Sequence, residues 1–139
     1  MIVVDTNVIH YCWVRGANTK IAQAVRQRDP EWHAPILWRS ELRNVLTAYL
    51  RRGLLTRAQF VGILSVADRA FAEREHIIPD ELVLDVVASS ALIAYDAEFV
   101  ALAAALSVPL VTDDKAVLKS FPDRALTMEA FLELRQVSD

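Results

Sequence analysis

The stretch Ile2-Val3-Val4-Asp5-Thr6-Asn7-Val8-Ile9 decides how this chain folds. Three successive β-branched residues with no alternation read as a short buried strand, and Asp5 ends it. From Thr6 onward the apolar residues Val8, Ile9 and Tyr11 to Trp13 suit a helix. The acid therefore sits at a strand-to-helix junction.

The same alternation continues outward from that junction. Residues 19–28 read as a helix, and after the Asp29-Pro30 break His33-Ala-Pro-Ile-Leu37 is a brief extended segment. Trp38, Leu42, Val45, Leu46, Tyr49 and Leu50 then mark one face of a helix ending near Gly53. Thr56-Arg-Ala-Gln59 has capping-box spacing and opens a helix with Phe60, Ile63, Leu64, Ala67 and Phe71 on its apolar stripe. Glu75 to Ile78 is a candidate strand, Pro79-Asp80 a turn, and residues 81–94 a further helix. Asp96 precedes an alanine-rich helix over Ala97 to Leu106, and Val108 to Thr112 is a strand leading into Asp113-Asp114. A short helix over Lys115 to Ser120, a last strand at Ala125-Leu-Thr127 and a terminal helix from Met128 to Arg135 complete the reading. Strands alternating with helices predict an α/β fold whose central, mainly parallel sheet is covered on both faces. In such sheets functional groups collect beyond the carboxyl ends of the strands, which is where Asp5 and Asp113-Asp114 fall.

Bulk properties narrow the function. A chain of 139 residues, 54% hydrophobic with 3 Gly and 5 Pro, has a core but room for one domain only, taken as residues 1–139. No apolar run approaches the roughly 18 positions of a membrane span, and Met1 leads straight into the first strand without a basic leader segment. Cys12 is the sole cysteine, so no disulfide forms within the chain, and it reads as a small buried apolar residue. A cytoplasmic protein without a membrane partner is the expectation. Net charge is −3, but residues 1–57 carry 9 Lys/Arg against 4 Asp/Glu, a balance of +5, while the remainder balances at −8.

Four acids stand out: Asp5, Glu41 in the first turn after Trp38, Asp96 at a helix start, and Asp114. Each taken singly can be a cap or a favourable charge at a helix entrance. Taken together they converge on one sheet edge, and clustered carboxylates repel unless a cation sits among them. Hard oxygen donors without convergent His or Cys favour Mg²⁺ or Mn²⁺ over zinc. Such an ion activates water against phosphorus, so phosphodiester hydrolysis fits. His10, His33 and His76 lack a ligand spacing and read as structural or surface residues. There is no P-loop, GxGxxG or GxSxG, which removes support for nucleoside triphosphate, dinucleotide and acyl-transfer chemistry.

Val3-Val4-Asp5-Thr6-Asn7-Val8-Ile9, Ser40-Glu41-Leu42, Tyr95-Asp96-Ala97-Glu98-Phe99-Val100-Ala101-Leu102-Ala103 and Pro109-Leu-Val-Thr-Asp-Asp-Lys115 together resemble a PIN-domain nuclease of the VapC toxin type. The resemblance runs in order over nearly the whole chain. It implies a three-layer α/β/α fold, with Asp5, Glu41, Asp96 and Asp114 catalytic and Asp5, Asp96 and Asp114 holding Mg²⁺ or Mn²⁺ for RNA cleavage. The family's Thr-x-Asp pattern places Thr112 with Asp114 and leaves Asp113 as an auxiliary acid. Thr6 and Thr112 would orient carboxylates or water, or cap helices, and Asn7 would act at the site or stabilise the turn. The resemblance also implies a homodimer and a cognate VapB-type antitoxin, with apolar contacts sought on the helices at 38–52 and 56–73.

Arg39, Arg43, Arg51, Arg52 and Arg57 surround Glu41 with a balance of +4, which offers RNA phosphates a contact surface or simply keeps a helix face solvated. Two other readings compete. A catalytically silent PIN-like binding module would share the fold but not need all four acids. A receiver-like phosphoacceptor domain would share the architecture, but it wants an acidic pair near its first strand, and this chain keeps its pair at 113–114.

Overall fold

Because Ile2, Val3 and Val4 are apolar without alternation, they can occupy only a strand covered on both faces, and they form the middle of the sheet. The structure is a computed structural model and describes residues 1–134. In chain order the elements are β1 (Ile2–Val4), α1 (Thr6–Trp13), α2 (Thr19–Arg28), β2 (Trp32–Pro35), α3 (Trp38–Arg51), α4 (Arg57–Ala70) and β3 (Glu75–His76). There follow α5 (Asp80–Ala88), α6 (Ala94–Leu106), β4 (Leu110–Val111), α7 (Lys115–Ser120), β5 (Ala125–Leu126) and α8 (Met128–Glu133). Arg135, the expected end of the last helix, lies outside the described residues.

The strands lie in the order β3-β2-β1-β4-β5, and every pairing is parallel. Ile2 faces Trp32 on one side, and Val3 faces Leu110 on the other. The chain thus winds outward from β1 to β3, crosses back, and continues from β4 to β5. Right-handed crossovers put the helices of these two journeys on opposite faces, giving three layers. Among the packed elements α1 contacts α2, α3 and α4, whereas α6 lies across β1, β2 and β4 with α5 against it.

Helix α6 is buried along Ala97 and Phe99 to Ala103, nearly all round, as a helix pressed onto the sheet must be. Its buried alanines, Ala97, Ala101 and Ala103, allow that close approach. It stops at Ser107, whose left-handed backbone (φ 56°) lets its N–H reach back to Ala103 and Ala104. Helix α4 opens on the expected capping box, with Gln59 N–H donating to Thr56 Oγ1 at 3.1 Å and Thr56 N–H to Gln59 Oε1 at 2.8 Å.

Several boundaries differ from the sequence reading, among them strands β3, β4 and β5, which are shorter than expected. Strand β2 starts at Trp32 and ends at Pro35, because Ile36 and Leu37 already turn into α3. Helix α5 ends at Ala88 rather than running on to residue 94, since Ser89 and Ser90 turn their hydroxyls onto the carbonyls of Asp85 and Val86. Helix α6 consequently begins at Ala94, which moves Asp96 from a helix entrance into the first turn; Ile93 is the N-cap and provides no side-chain cap.

Candidate active site

Where β1 and β4 lie side by side, the chain leaves them in opposite directions, which makes the space beyond their carboxyl ends the switch point of the sheet. Asp5 and Thr112 stand at its floor. Asp5 N–H donates to Val111 O at 3.0 Å, which fastens the end of β1 to β4, and the Asp5 carboxylate caps α1 by accepting from Thr6 N–H at 2.7 Å through Oδ1. Its other oxygen accepts from the buried Thr112 hydroxyl at 2.7 Å. That hydroxyl in turn accepts from Asp114 N–H at 3.0 Å, so one threonine sets both acids.

Thr6, also buried, donates its hydroxyl to Glu41 Oε1 at 2.7 Å and draws the first turn of α3 toward the start of α1. Asp114 accepts Ala116 and Val117 N–H through Oδ1 at 2.9 and 3.1 Å and so caps α7. Its second oxygen has no hydrogen-bond partner among the described residues. The capping readings of Asp5 and Asp114 therefore hold in geometry, and neither cap uses up the carboxylate.

The acids feel one another. Asp5 is pushed up to about 6, first by burial and then by the charges of Glu41 and Asp96, against the opposing hydrogen bonds from Thr112 and Thr6. Burial also raises Glu41, with Thr6 opposing and Asp96 and Glu98 adding to the rise. Burial and then Asp114 raise Asp96. These couplings join Asp5, Glu41, Asp96 and Asp114 into one electrostatic neighbourhood, contributed by β1, α3, α6 and the β4–α7 junction. Glu98, two residues beyond Asp96 and itself raised by burial, belongs to its border. Sequence reasoning does not single it out, although its closeness to Asp96 in the same helix is the available signal.

Asp113 is turned differently. Its two oxygens accept from Asn7 Nδ2 at 3.2 Å and from the Tyr11 hydroxyl, tying the β4 loop to α1. The sequence pattern marks Tyr11 only as an apolar helix residue and passes over the polar end of its ring. Arg39, expected at an RNA surface, is instead engaged: Glu75 receives both Nε and Nη2 at 2.7 Å, and Asp68 receives Nη2 as well. Arg43 remains exposed one turn later. The histidines pair with other groups, His33 Nδ1 with His76 Nε2 at 2.8 Å and His10 Nε2 with the Tyr49 hydroxyl at 3.1 Å, although His10 lies within electrostatic reach of Asp113.

A three-layer parallel α/β domain with acids gathered at its switch point defines the class of protein. The chain belongs to the PIN domain family, whose model matches residues 2–122. Among solved structures it is similar to PAE2754 from Pyrobaculum aerophilum, with 22% identity and a TM-score of 0.73 over 94% of this chain and 92% of the other. It is also similar to FitAcB from Neisseria gonorrhoeae, with 18% identity and a TM-score of 0.69 over 93% and 99%. FitAB bound to an IR36 DNA fragment aligns at 16% identity with a TM-score of 0.71 over 99% and 100%. No curated protein matches the chain.

The donor set suits an oxygen-seeking divalent ion: carboxylates alone, mutually repelling and free of thiolate or imidazole. The fit is chemical rather than preassembled. Among the described residues no three Asp, Glu, His or Cys side chains already form a group able to hold a metal. Because the couplings are repulsive, carboxylates without a counter-ion are expected to stand apart, and loading requires them to turn inward.

Proposed function

We propose that this protein is a Mg²⁺- or Mn²⁺-dependent endoribonuclease acting as the toxin of a VapBC-type toxin-antitoxin pair. The observation that carries the reading is the gathering of Asp5, Glu41 and Asp96, three acids from distant parts of the chain, close enough that Glu41 and Asp96 raise Asp5 and Asp96 raises Glu41. A silent binding module needs no such costly arrangement. Asp5, Asp96 and Asp114 would hold the ion, and Glu41 would act beside them. A bound divalent ion would supply an activated water and neutralise charge on the phosphate.

The remaining groups position these acids. Thr112 fixes the Asp5 carboxylate, Thr6 fixes Glu41, and Asn7 with Tyr11 restrains Asp113 at the rim. Glu41, whose carboxyl burial holds above its ordinary value, is placed to exchange a proton with water beside the other acids. Arg43 offers a phosphate contact one turn away, whereas Arg39 serves the scaffold.

Two apolar surfaces support the expected partners. A concavity of about 480 Å³ between the end of α1 and α4, lined by Trp13, Val14, Leu55, Ile63 and Val66, suits an antitoxin peptide. Exposed Ile36, Ile77, Leu84, Ile93 and Tyr95 near Glu98 suit a second copy of the chain. No helix among the described residues is long and apolar enough to cross a membrane, and we place the protein in the cytoplasm.

The test is cleavage of total RNA with and without Mg²⁺, followed by mapping of the new ends. Asp5→Asn and Asp96→Asn are expected to lose at least about 100-fold in rate while retaining their fold, as removal of an ion-binding carboxylate does. Undiminished cleavage by either variant overturns the site.

A further inference from the structure

The amino-terminal edge of the sheet, opposite the acids, carries a second feature. Arg26 lies in the last turn of α2, Arg69 in the last turn of α4, and Arg74 immediately before β3, so three helix or loop ends deliver three guanidinium groups to one place. They line a concavity of about 400 Å³ together with Pro30, Glu31, Val66 and Ala70. Among the described residues none of the three arginines forms an ion pair. Glu31, the one acid there, is drawn toward His33 Nε2 at 3.4 Å. Three cations against one acid leave the concavity strongly positive.

Arg74 is also held in place. Its Nε donates to Trp32 O at 3.1 Å and its Nη2 to Ala70 O at 2.5 Å, bonds to carbonyls that orient the guanidinium without cancelling its charge. Arg26 lies over the Trp13 ring, 5.4 Å from its centroid. An adjoining concavity of about 410 Å³ shares Arg26 and Pro30 with the first and adds Trp13, Gln23 and Gln27. Gln23 and Gln27 are one helical turn apart on α2 and exposed. Gln23 Nε2 donates to Cys12 O at 3.4 Å, which aims its amide into the concavity's wall and keeps its oxygen available, and Gln27 has donor and acceptor atoms of the kind that read a base edge. Helix α2 itself carries Lys20, Arg26 and Arg28 and no acid.

An isolated anion would explain the arginines but not the aromatic and amide-lined neighbour. An acidic peptide would leave Trp13 and both glutamines without a role. A nucleotide uses all of them, since a base stacks on aromatic or guanidinium planes while its phosphate takes bidentate arginine contacts. We propose that this edge is a second RNA-binding site, taking one nucleotide of a single strand with its base among Trp13, Gln23 and Gln27 and its phosphate on Arg26, Arg69 and Arg74. The inference rests on the ribonuclease reading for the identity of the polymer. The site lies at the far end of the strands from Asp5, so it engages a stretch of RNA distant from the bond being cut.

The test is binding of a fluorescein-labelled, unstructured 12-nucleotide RNA by anisotropy in EDTA, where no turnover occurs. The Arg26→Ala/Arg69→Ala double variant is expected to bind about 10-fold more weakly, and the slope of log K against log salt to flatten by about 0.7, the change that follows when one single-strand phosphate is no longer neutralised. Gln27→Glu, an exposed change that keeps the helix, is expected to weaken binding without altering the melting temperature. In cleavage assays on a long RNA the double variant should raise KM and leave kcat unchanged. Affinity and salt slope equal to wild type in both variants overturn the proposal, as does a labelled oligoglutamate that binds this edge in preference to RNA. If wild type binds RNA through these residues but cleaves nothing with Mg²⁺, the nuclease reading fails and this site stands.

Discussion

At the scale of single residues, Asp5 carries the largest electrostatic strain in the site. Its carboxyl is held near 6 against an ordinary 3.8, so between those values the folded chain keeps a proton that the unfolded chain has lost. Stability from this group is therefore highest below about pH 4, falls as pH rises toward 6, and above 6 settles at a constant penalty of about 2–3 kcal/mol. Asp5→Asn removes the charge and leaves an oxygen to cap α1. In EDTA at pH 8 the variant is expected to melt several degrees above wild type, with the gap closing toward pH 4. A lower melting temperature at every pH would show that the bonds from Thr112 and Thr6 outweigh the burial. Thr112→Val tests the other partner: it leaves Asp5 Oδ2 and Asp114 N–H without their partner at once. A loss of about 1–3 kcal/mol in urea titration is the expected outcome.

At the scale of elements, Arg39 shows how a residue's role depends on what folds beside it. Its sequence position within a basic stretch points outward to RNA, but α4 and β3 bring Asp68 and Glu75 against it, acids 29 and 36 residues away that no local pattern ties to α3. The hydrogen bonds from Arg39 hold the Glu75 carboxyl below its usual range. A lowered acid stabilises the fold above its ordinary value and loses that contribution as pH falls through the folded value. Glu75→Gln should therefore cost about 1 kcal/mol at pH 7, a modest amount because Arg39 is a third open to water, and less at pH 3. Urea titrations at the two pH values decide it. The same distinction governs what was legible. The capping box at Thr56 and Gln59 and the stripe from Trp38 to Leu46 are local, and they were readable residue by residue. The end of α5 was not, because Ser89 and Ser90 break the helix through hydroxyl bonds that compete with a pattern of apolar spacing from Leu82 and Val86 still running to Ile93. Pairs such as His33 with His76, or Tyr11 with Asp113, join residues separated by 43 and 102 positions and emerge only with the sheet order.

At the scale of the whole molecule, strand order determines the site's energetics. Because β1 and β4 are neighbours and α6 lies across both, Asp5, Asp96 and the Thr112-to-Asp114 turn are forced together however far apart they lie in the chain. The gathering of acids at one sheet edge was legible from strands that end in them, whereas the ready geometry of a metal cage was not, and the described residues do not display one. A fold that presses like charges together without a counter-ion should be stabilised by whatever supplies one. If Mg²⁺ binds folded but not unfolded chain, stabilisation follows RT ln(1 + [L]/Kd), about 2.7 kcal/mol at 100 times Kd. Thermal melts in rising Mg²⁺ should thus climb in wild type and stay flat in Asp96→Asn, while in Asp5→Asn a higher starting value should meet no further rise. Calcium, larger and content with irregular oxygen shells, should stabilise the fold while supporting less cleavage, separating ion binding from chemistry. Melting temperatures that ignore Mg²⁺ in wild type would place the acids too far apart to share an ion, and the burial and repulsion that raise Asp5 would then be an unrelieved cost of this topology.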